Sequence, residues 1–414
     1  MTGADPEAVI RAAFTDQWGR IVSILIGQTG DFELAEECAQ EAFAAAWRSW
    51  PENGVPQTPE AWLITVARRR AVDRMRRDQL GREKAQAIVG TEPDSYDEAD
   101  LDVLDSGIAD DRLRLLFTCF HPALSLEAQA TLALRTLLGL SVAEIAHAFE
   151  VSEAVMAKRL TRTRTKIRVA GIPYRVPPAA QLGERTAGVL QAIYLMAGEG
   201  YAAAAGSRLD RPDLSGEAVR LAALAAELMP DDPEVLGLCA LLMLQQSRAS
   251  TRTDDQGTLI PLEEQDRSRW DRDLITNGLE LIRRAGRRRA FGPYQLQAMI
   301  AGCHVSAARS EDTDWAMIVS LYDLLLVQVP SGFVRLNRLV AVAMRDGAAT
   351  GLDELDRCVD QLPESRLVAA VRADLLRRLG RNRAAAAAYR TAIEHTGNEG
   401  ERRYLRRRLG ELGC

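Results

Sequence analysis

Aromatic residues make up only 5% of this 414-residue chain, and histidine occurs four times. So few large planar side chains disfavour an all-β fold, whose strands draw on aromatic and β-branched residues. The histidines (His121, His147, His304, His395) are scattered, and there is no HExxH, no GxSxG and no Walker lysine loop. The sequence therefore offers no catalytic constellation, and an enzyme is not expected. The cysteines (Cys38, Cys119, Cys239, Cys303, Cys358, Cys414) form no CxxC pair and no disulfide-like framework. A reducing, cytoplasmic compartment is expected, with no metal site and no cofactor. No apolar run approaches the roughly 18 residues that span a bilayer. The N-terminus, MTGADPEAVIRAAF, lacks the basic-then-apolar pattern of a secretory signal.

What abounds is alanine, leucine and arginine, which favour helices. Hydrophobic residues are 47% and charged residues 27%, enough to bury proper cores. At roughly 100–200 residues per domain, two to four domains are expected. The net charge of −6 argues against a nucleic-acid binder only as a sum, because the charge is segregated along the chain.

Residues 1–80 read as helices separated by one loop. Leu34, Ala35, Cys38, Ala39, Ala42, Phe43, Ala46, Trp47 and Trp50 form a 3.6-residue stripe over 31–50, with Pro51 as its stop. Glu33, Glu37, Gln40 and Glu41 lie opposite, with Glu36 beside them. After the turn-rich loop 51–59, a second helix runs to about Arg77 and carries Arg68, Arg69, Arg70, Arg74, Arg76 and Arg77. That density suits phosphate contacts driven by counterion release. Val72 and Met75 would keep one side apolar, and Trp62 is placed to stack on a base. Residues 81–111, rich in Asp and Glu, read as an acidic linker.

Residues 112–172 are helical again, with Gly139 ending one helix. Ser141-Val-Ala-Glu144 is a capping-box sequence and Ser152 caps a second helix, which together read as a helix-turn-helix. Ile145, Ala146, Phe149, Val151, Met156 and Leu160 would pack the two helices. Ala154, Ala157, Lys158 and Thr161 would face bases, while Arg162, Arg164, Lys166 and Arg168 would hold the backbone. Residues 173–414 read as a separate helical domain. Gly347 and Gly380 stand 33 apart, as do Pro330 and Pro363, and Leu352, Leu355 and Val359 register with Ala385, Ala388 and Ala392. That period points to degenerate tetratricopeptide-like packing, which 246–292 does not fit. The polar run from Glu263 to Asp271 around Trp270 reads as a network pinning that irregular part.

The order of these parts resembles an extracytoplasmic-function sigma factor. The words that carry it are Ala35-Glu-Glu-Cys-Ala-Gln-Glu-Ala-Phe-Ala-Ala-Ala-Trp47, Pro59-Glu-Ala-Trp-Leu-Ile-Thr-Val-Ala-Arg68, Asp73-Arg-Met-Arg76, Leu140-Ser-Val-Ala-Glu-Ile-Ala146 and Lys158-Arg-Leu160. Phe117-Thr-Cys-Phe-His-Pro-Ala123, Gly292-Pro-Tyr-Gln-Leu-Gln297, Thr313-Asp-Trp315 and Arg335-Leu-Asn-Arg338 resemble the subgroup with a long tetratricopeptide-like C-terminal domain. Two departures stand out: Glu150 replaces the usual turn glycine, and Ala157 the lysine common early in the recognition helix.

The resemblance implies an all-α protein: a sigma-2 domain (1–80), an acidic linker (81–111), a sigma-4 helix-turn-helix (112–172) and a C-terminal helical domain (173–414). It implies an RNA polymerase sigma factor that binds core polymerase and promoter DNA and directs transcription initiation. Glu33, Glu36, Glu37, Gln40 and Glu41 would bind polymerase. Asn53, Trp62, Arg68, Arg69 and Arg76 would contact the −10 element, the 51–58 loop capturing a flipped base. Ala154, Ala157, Lys158, Thr161, Arg162 and Lys166 would contact the −35 element. The tail would regulate or support activity, and an intramolecular contact with the sigma domains is one route to that. The alternative is a helix-turn-helix regulator with a tetratricopeptide sensor that does not act as a sigma factor.

Overall fold

A computed structural model describes residues 5–86, 108–149, 151–201, 212–287, 291–362 and 366–413. Among the described residues every regular element is helical, apart from one isolated antiparallel bridge between Thr253 and Leu259. The all-α expectation holds. The chain divides into two compact units, Met1–Ala192 and Ile193–Cys414. The division falls inside a helix rather than at residue 173.

The first unit contains α1 (Pro6–Thr29), α2 (Phe32–Asn53), α3 (Pro59–Gln86), α4 (Ile108–Cys119), α5 (Leu126–Thr136), α6 (Val142–Ala148), α7 (Glu153–Val169) and the start of α8 (Ala179–Tyr201). Asp5 caps α1 and Asp31 caps α2, its carboxylate accepting from the amides of Glu33 and Leu34. Helix α2 buries Ala35, Cys38, Ala39, Ala42, Phe43, Ala46 and Trp50, most of the expected stripe. Trp47 departs from it at 46% exposure. Pro51 does not stop the helix. It costs one amide donor, and the chain continues to Gly54, whose φ of 83° ends it.

Helix α1 is the hub, packing on α2, α3, α4 and α5. Trp18 is fully buried within a cluster with Phe14 and Phe43, and its indole N–H donates to the Arg135 carbonyl at 3.2 Å. Gly139 lies against it with φ of 76°, and a Cβ there would sit 2.7 Å from the Trp18 ring. The position therefore needs glycine twice over, for the left-handed backbone and for the space. Segments expected as two separate domains thus share one core. The linker's ends are helical in α3 and α4, while 87–107, which hold most of its acidic residues, lie outside the described residues.

The capping box at Ser141 and Glu144 forms in both directions, and Ser152 accepts from the Val155 amide. Ile145, Ala146, Met156 and Leu160 are buried where α6 and α7 pack; Phe149 and Val151 are half-buried. Glu150 lies outside the described residues.

The second unit continues with α9 (Pro212–Leu228), α10 (Pro233–Gln246), α11 (Arg272–Gly286), α12 (Pro293–Ser306), α13 (Trp315–Gln328), α14 (Gly332–Asp346), α15 (Ala348–Cys358), α16 (Arg366–Arg378), α17 (Asn382–Glu394) and α18 (Glu399–Gly410). The 33-residue spacing corresponds to two helical pairs, α14 with α15 and α16 with α17, broken at Gly347 and Gly380. Leu352, Leu355, Ala385 and Ala392 are buried, whereas Val359 falls in a 3-10 turn and is exposed, so that register fails at its last position. Pro363 lies outside the described residues. The Gly292-Pro-Tyr-Gln motif receives a physical reason. The Glu234 carboxylate accepts from the amides of Tyr294 and Gln295 at 3.0 and 3.1 Å, an anion at the N-terminus of α12. A Cβ at residue 292 would overlap that carboxylate.

The irregular segment after α10 is tied down by side chains. Glu263 pairs with Arg378 at 2.9 Å, Glu264 pairs with Arg407 and Arg408, and the Trp270 indole N–H donates to the Thr251 hydroxyl at 3.0 Å. Arg267 donates to the carbonyls of His304 and Ala307 at 2.5 and 2.7 Å. His304 is largely buried edge-on to Trp315, and burial, with Arg248 and Arg267 nearby, pushes its pKa down to about 4. The imidazole is therefore neutral in the folded state where it would be charged in the unfolded chain. Its contribution to stability is fully present above pH 6.5, the ordinary value, and is lost as pH falls towards 4. We expect about 3 kcal/mol of stability of the second unit to vanish across that window by this route. His304→Gln should flatten the corresponding part of the pH profile in denaturant titrations. An unchanged profile in the variant would show that other groups set it.

Candidate nucleic-acid interface

The acidic side of α2 is not a free solvated face. Arg74 of α3 pairs with Glu37 and, at 2.6 Å, with Glu41, and Arg70 approaches Glu41 at 3.7 Å. Glu33 and Gln40 are exposed. Glu36 overturns the expectation placed on it. It points inward and is buried, accepting from Arg135 of α5 and Arg164 of α7, each at 2.7 Å. A carboxylate can be buried there because two guanidiniums replace its water. Arg164, expected to hold a DNA backbone, is used up in this contact. The partners are 99 and 128 residues away in sequence, so no local pattern announced them.

Helix α3 buries Leu63, Ile64, Ala67 and Ala71. Val72 and Met75, expected to be its apolar side, are exposed at 46% and 43%. Around them lie the exposed Arg69, Arg76 and Arg77. Arg69 and Arg76 have no carboxylate partner among the described residues, and Arg77 donates to the Asp73 carbonyl in its own helix. Arg68 is half-buried and its Nε is unpartnered. Trp62 is half-buried and packs edge-on against Trp50 at 5.5 Å, so most of its ring is committed to the protein. Asn53 is exposed at the end of α2, its amide directed to Ser49 at 3.3 Å.

Helix α7 separates its residues cleanly. Met156, Leu160, Thr163 and Ile167 are buried. Ala154, Ala157, Lys158, Thr161, Arg162, Lys166 and Arg168 are all exposed. Its four cations on that face have no carboxylate partner among the described residues, while Arg159 pairs with Glu127 at 2.5 Å. Small residues near the helix start and unpaired cations further along make a surface that can approach base edges and grip phosphates. The first unit thus carries two surfaces of uncompensated positive charge within a chain of net charge −6.

Three family models match. Sigma-70 region 2 matches residues 18–80 and ECF sigma factor matches 60–171. A family of unknown function, DUF6596, matches 185–286. An uncharacterized protein of Rhizobium meliloti (strain 1021), R00370, is 42% identical over 385 residues, covering 93% of this chain and 91% of that protein. The ECF RNA polymerase sigma factor SigK of Mycobacterium ulcerans (strain Agy99) is 28% identical over 142 residues, 34% of this chain and 74% of that protein. The probable ECF RNA polymerase sigma factor SigI of Mycobacterium tuberculosis (strain ATCC 25618 / H37Rv) is 26% identical over 179 residues, 43% of this chain and 60% of that protein. No solved structure matches.

Removing the charge at Glu36 would leave two guanidiniums facing each other without an anion. We expect Glu36→Gln to destabilise the first unit by about 3–5 kcal/mol, far more than the loss of a surface ion pair. Urea unfolding of the variant beside Glu33→Gln, a control at an exposed position of the same helix, measures it. Equal, small effects would contradict the buried-clamp description.

Proposed function

We propose, for a chain that belongs to the extracytoplasmic-function sigma factor family and carries a long helical C-terminal extension, a division of labour among the helices of its first unit. The protein is an RNA polymerase sigma factor, with core RNA polymerase and promoter DNA as its partners. The regulator that ignores polymerase is disfavoured, since α2 and α3 match a region that such a regulator has no use for. The family's members are not enzymes. Among the described residues no helix is long and apolar enough to cross a membrane, and we assign the protein to the cytoplasm, where polymerase is.

The observation that supports the finer reading is the pair of surfaces where cations stand without partners. On α7, Lys158, Thr161, Arg162 and Lys166, with Ala154 and Ala157 leaving room, would enter the major groove at the −35 element. On α3, Arg69 and Arg76 would hold the opened strand at the −10 element, with Arg68 behind them. The exposed loop after Asn53 would receive a flipped base, whose capture offsets an unstacking cost of a few kcal/mol. Trp62 would present only the edge that Trp50 leaves open. On α2, Glu33 and Gln40, with the partly neutralised Glu37 and Glu41, would meet polymerase. Glu36 is withdrawn from that set. The second unit would regulate or support this activity.

Two measurements test the reading. Lys158→Ala with Arg162→Ala should lower transcription from −35-dependent promoters by about tenfold or more, while core polymerase still co-elutes. Arg69→Ala with Arg76→Ala should instead reduce permanganate reactivity of the opened −10 region. Full reactivity in that double variant would remove α3 from the −10 assignment.

For polymerase, charge reversal belongs at Glu33→Lys with Gln40→Lys. Glu37 and Glu41 are unsuitable, because a lysine there would face Arg74 and disturb α2 against α3. The double variant should keep its circular dichroism and lose about tenfold or more in affinity for core polymerase. Undiminished affinity would move the polymerase contact off α2.

A further inference from the structure

The second unit contains a half-open cavity of about 400 Å³. Its walls come from α12, α13, α14, α16, α17 and α18, closed on one side by the irregular segment at Pro261–Arg267. The volume is in the range of small-molecule sites. Nothing in the sigma factor reading uses it, and the inference stands independently of that reading.

Four lining groups carry polar atoms that are buried and have no hydrogen-bond partner, the Tyr389 hydroxyl and a set of three: Arg267 at Nη2, His304 at Nδ1 and Thr313 at its hydroxyl. Thr313 is itself more than nine-tenths buried. The three of that set are neighbours. Arg267 donates to the His304 carbonyl, and Trp315, which follows Thr313 by two residues, packs on the His304 ring. Buried polar atoms left unsatisfied cost about 1–3 kcal/mol each, so three in one place point to a missing group that would satisfy them.

The charge of that group follows from the cations and anions around the cavity. Arg378, also in the wall, pairs with Glu263 and shares Asp374 with Arg377 of the same helix, so those two carboxylates are matched by two guanidiniums. Arg267 has no carboxylate partner within ion-pair distance among the described residues; burial and then Arg248 lower its pKa, against a smaller opposing effect of Glu311 and of Asp312, which itself pairs with Arg309. His304 is neutral and can donate one N–H. The wall thus holds one guanidinium, Arg267, that has no ion pair among the described residues, and its free N–H stands with an imidazole nitrogen and a hydroxyl. A monoanion with two acceptor oxygens matches that set. A phosphate dianion would bring a second charge with nothing to meet it. Apart from Ser310 and Asn337, most of the remaining wall is apolar or aromatic, with Ile318, Tyr322, Val340, Met344, Leu367 and Val371 among it. Burial keeps the Tyr322 phenol protonated, its pKa pushed up to about 12.

We propose that this cavity is a binding site for a small organic carboxylate with an apolar body, its carboxylate held by Arg267, His304 and Thr313. The polar cluster and the apolar wall belong to one continuous cavity, so a single amphipathic molecule fills both.

The test uses the full-length protein and calorimetric titration with octanoate, decanoate and phenylbutyrate. Each is compared with the alcohol and the alkyl phosphate of the same body. At least one carboxylate should bind saturably, one per chain, about tenfold or more tighter than its alcohol. Thr313→Val should weaken it by several-fold. Ala370→Trp, which fills the cavity from α16, should abolish binding while leaving the helical circular dichroism intact. Arg267 also braces the His304 and Ala307 carbonyls, so Arg267→Ala is an unsafe variant, and the other two keep the question open to refutation. No binding by any of the acids would overturn the proposal. So would binding as tight for the alcohol, tighter binding of the phosphate, or binding that survives Ala370→Trp.

Discussion

The buried carboxylate of Glu36 is the contact on which the first unit's arrangement turns. Ionised carboxylates are expensive to bring out of water, and this one sits among α2, α5 and α7 with only 3% of its residue surface exposed. Arg135 and Arg164 make the burial possible by replacing its hydration with two charge-assisted hydrogen bonds. Arg135 also has other duties. Arg135 donates to the Leu140 carbonyl at 2.8 Å, at the start of the capping-box turn, and its guanidinium lies 5.8 Å from the Trp18 ring. One anion therefore links the register of α2 to the turn that sets α6, and α6 in turn packs on α7.

The same logic sorts the remaining cations. Arginines that face an acidic neighbour are consumed: Arg70 and Arg74 by α2, Arg159 by Glu127, Arg164 by Glu36. Those on the outer faces of α3 and α7 have no carboxylate partner among the described residues. Positive potential thus arises from position and not from composition. Acidic residues lie elsewhere in the chain, in the 81–111 stretch and in the second unit, where Asp323 and Glu354 from two helices share the single Arg338. Counterion release at phosphates needs only local cations, so a net negative chain is no obstacle to DNA binding.

Local chemistry was readable and distant pairing was not. Ser141-Val-Ala-Glu144 specifies a helix start through atoms three residues apart, and the box forms as written. The stripe of α2 was legible for the same reason, up to Trp47. That residue continues the period but runs past the neighbours that would cover it, and its exposed ring joins Ile10, Phe14 and Phe43 along a shallow groove. The side of α3 was misread because two sides of that helix are apolar. The small Ala67 and Ala71 take the inside, and the bulkier Val72 and Met75 stay out. Leu63 and Ile64 share that inner side, so position around the helix and not side-chain size decides what is buried. Glu36 was placed on a surface because its neighbours Glu33 and Glu37 are on one. A turn of 100° per residue puts it near the boundary, and the distant Arg135 and Arg164 decide which way it goes.

The second unit shows what a degenerate helical repeat requires. Alanine-rich stretches such as Ala384 to Ala388 let helices approach closely, but they fill little volume. Where neighbouring helices do not match, a gap is left, and the irregular segment after α10 closes it by charge instead of apolar packing. Glu263 reaches α16, Glu264 reaches α18, and Arg267 reaches the end of α12. Ion pairs of this kind tolerate imperfect surfaces better than close packing does, because they act over longer distances. The cost of that solution is a cavity whose walls include Arg267, His304 and Thr313 with unanswered polar atoms. An evolved core with no use for the space could replace them by apolar residues of similar size at little or no loss. Their presence therefore argues for a hydrated or liganded interior over a failure of packing, and the guanidinium of Arg267, which has no ion pair among the described residues, decides which sign of charge it receives.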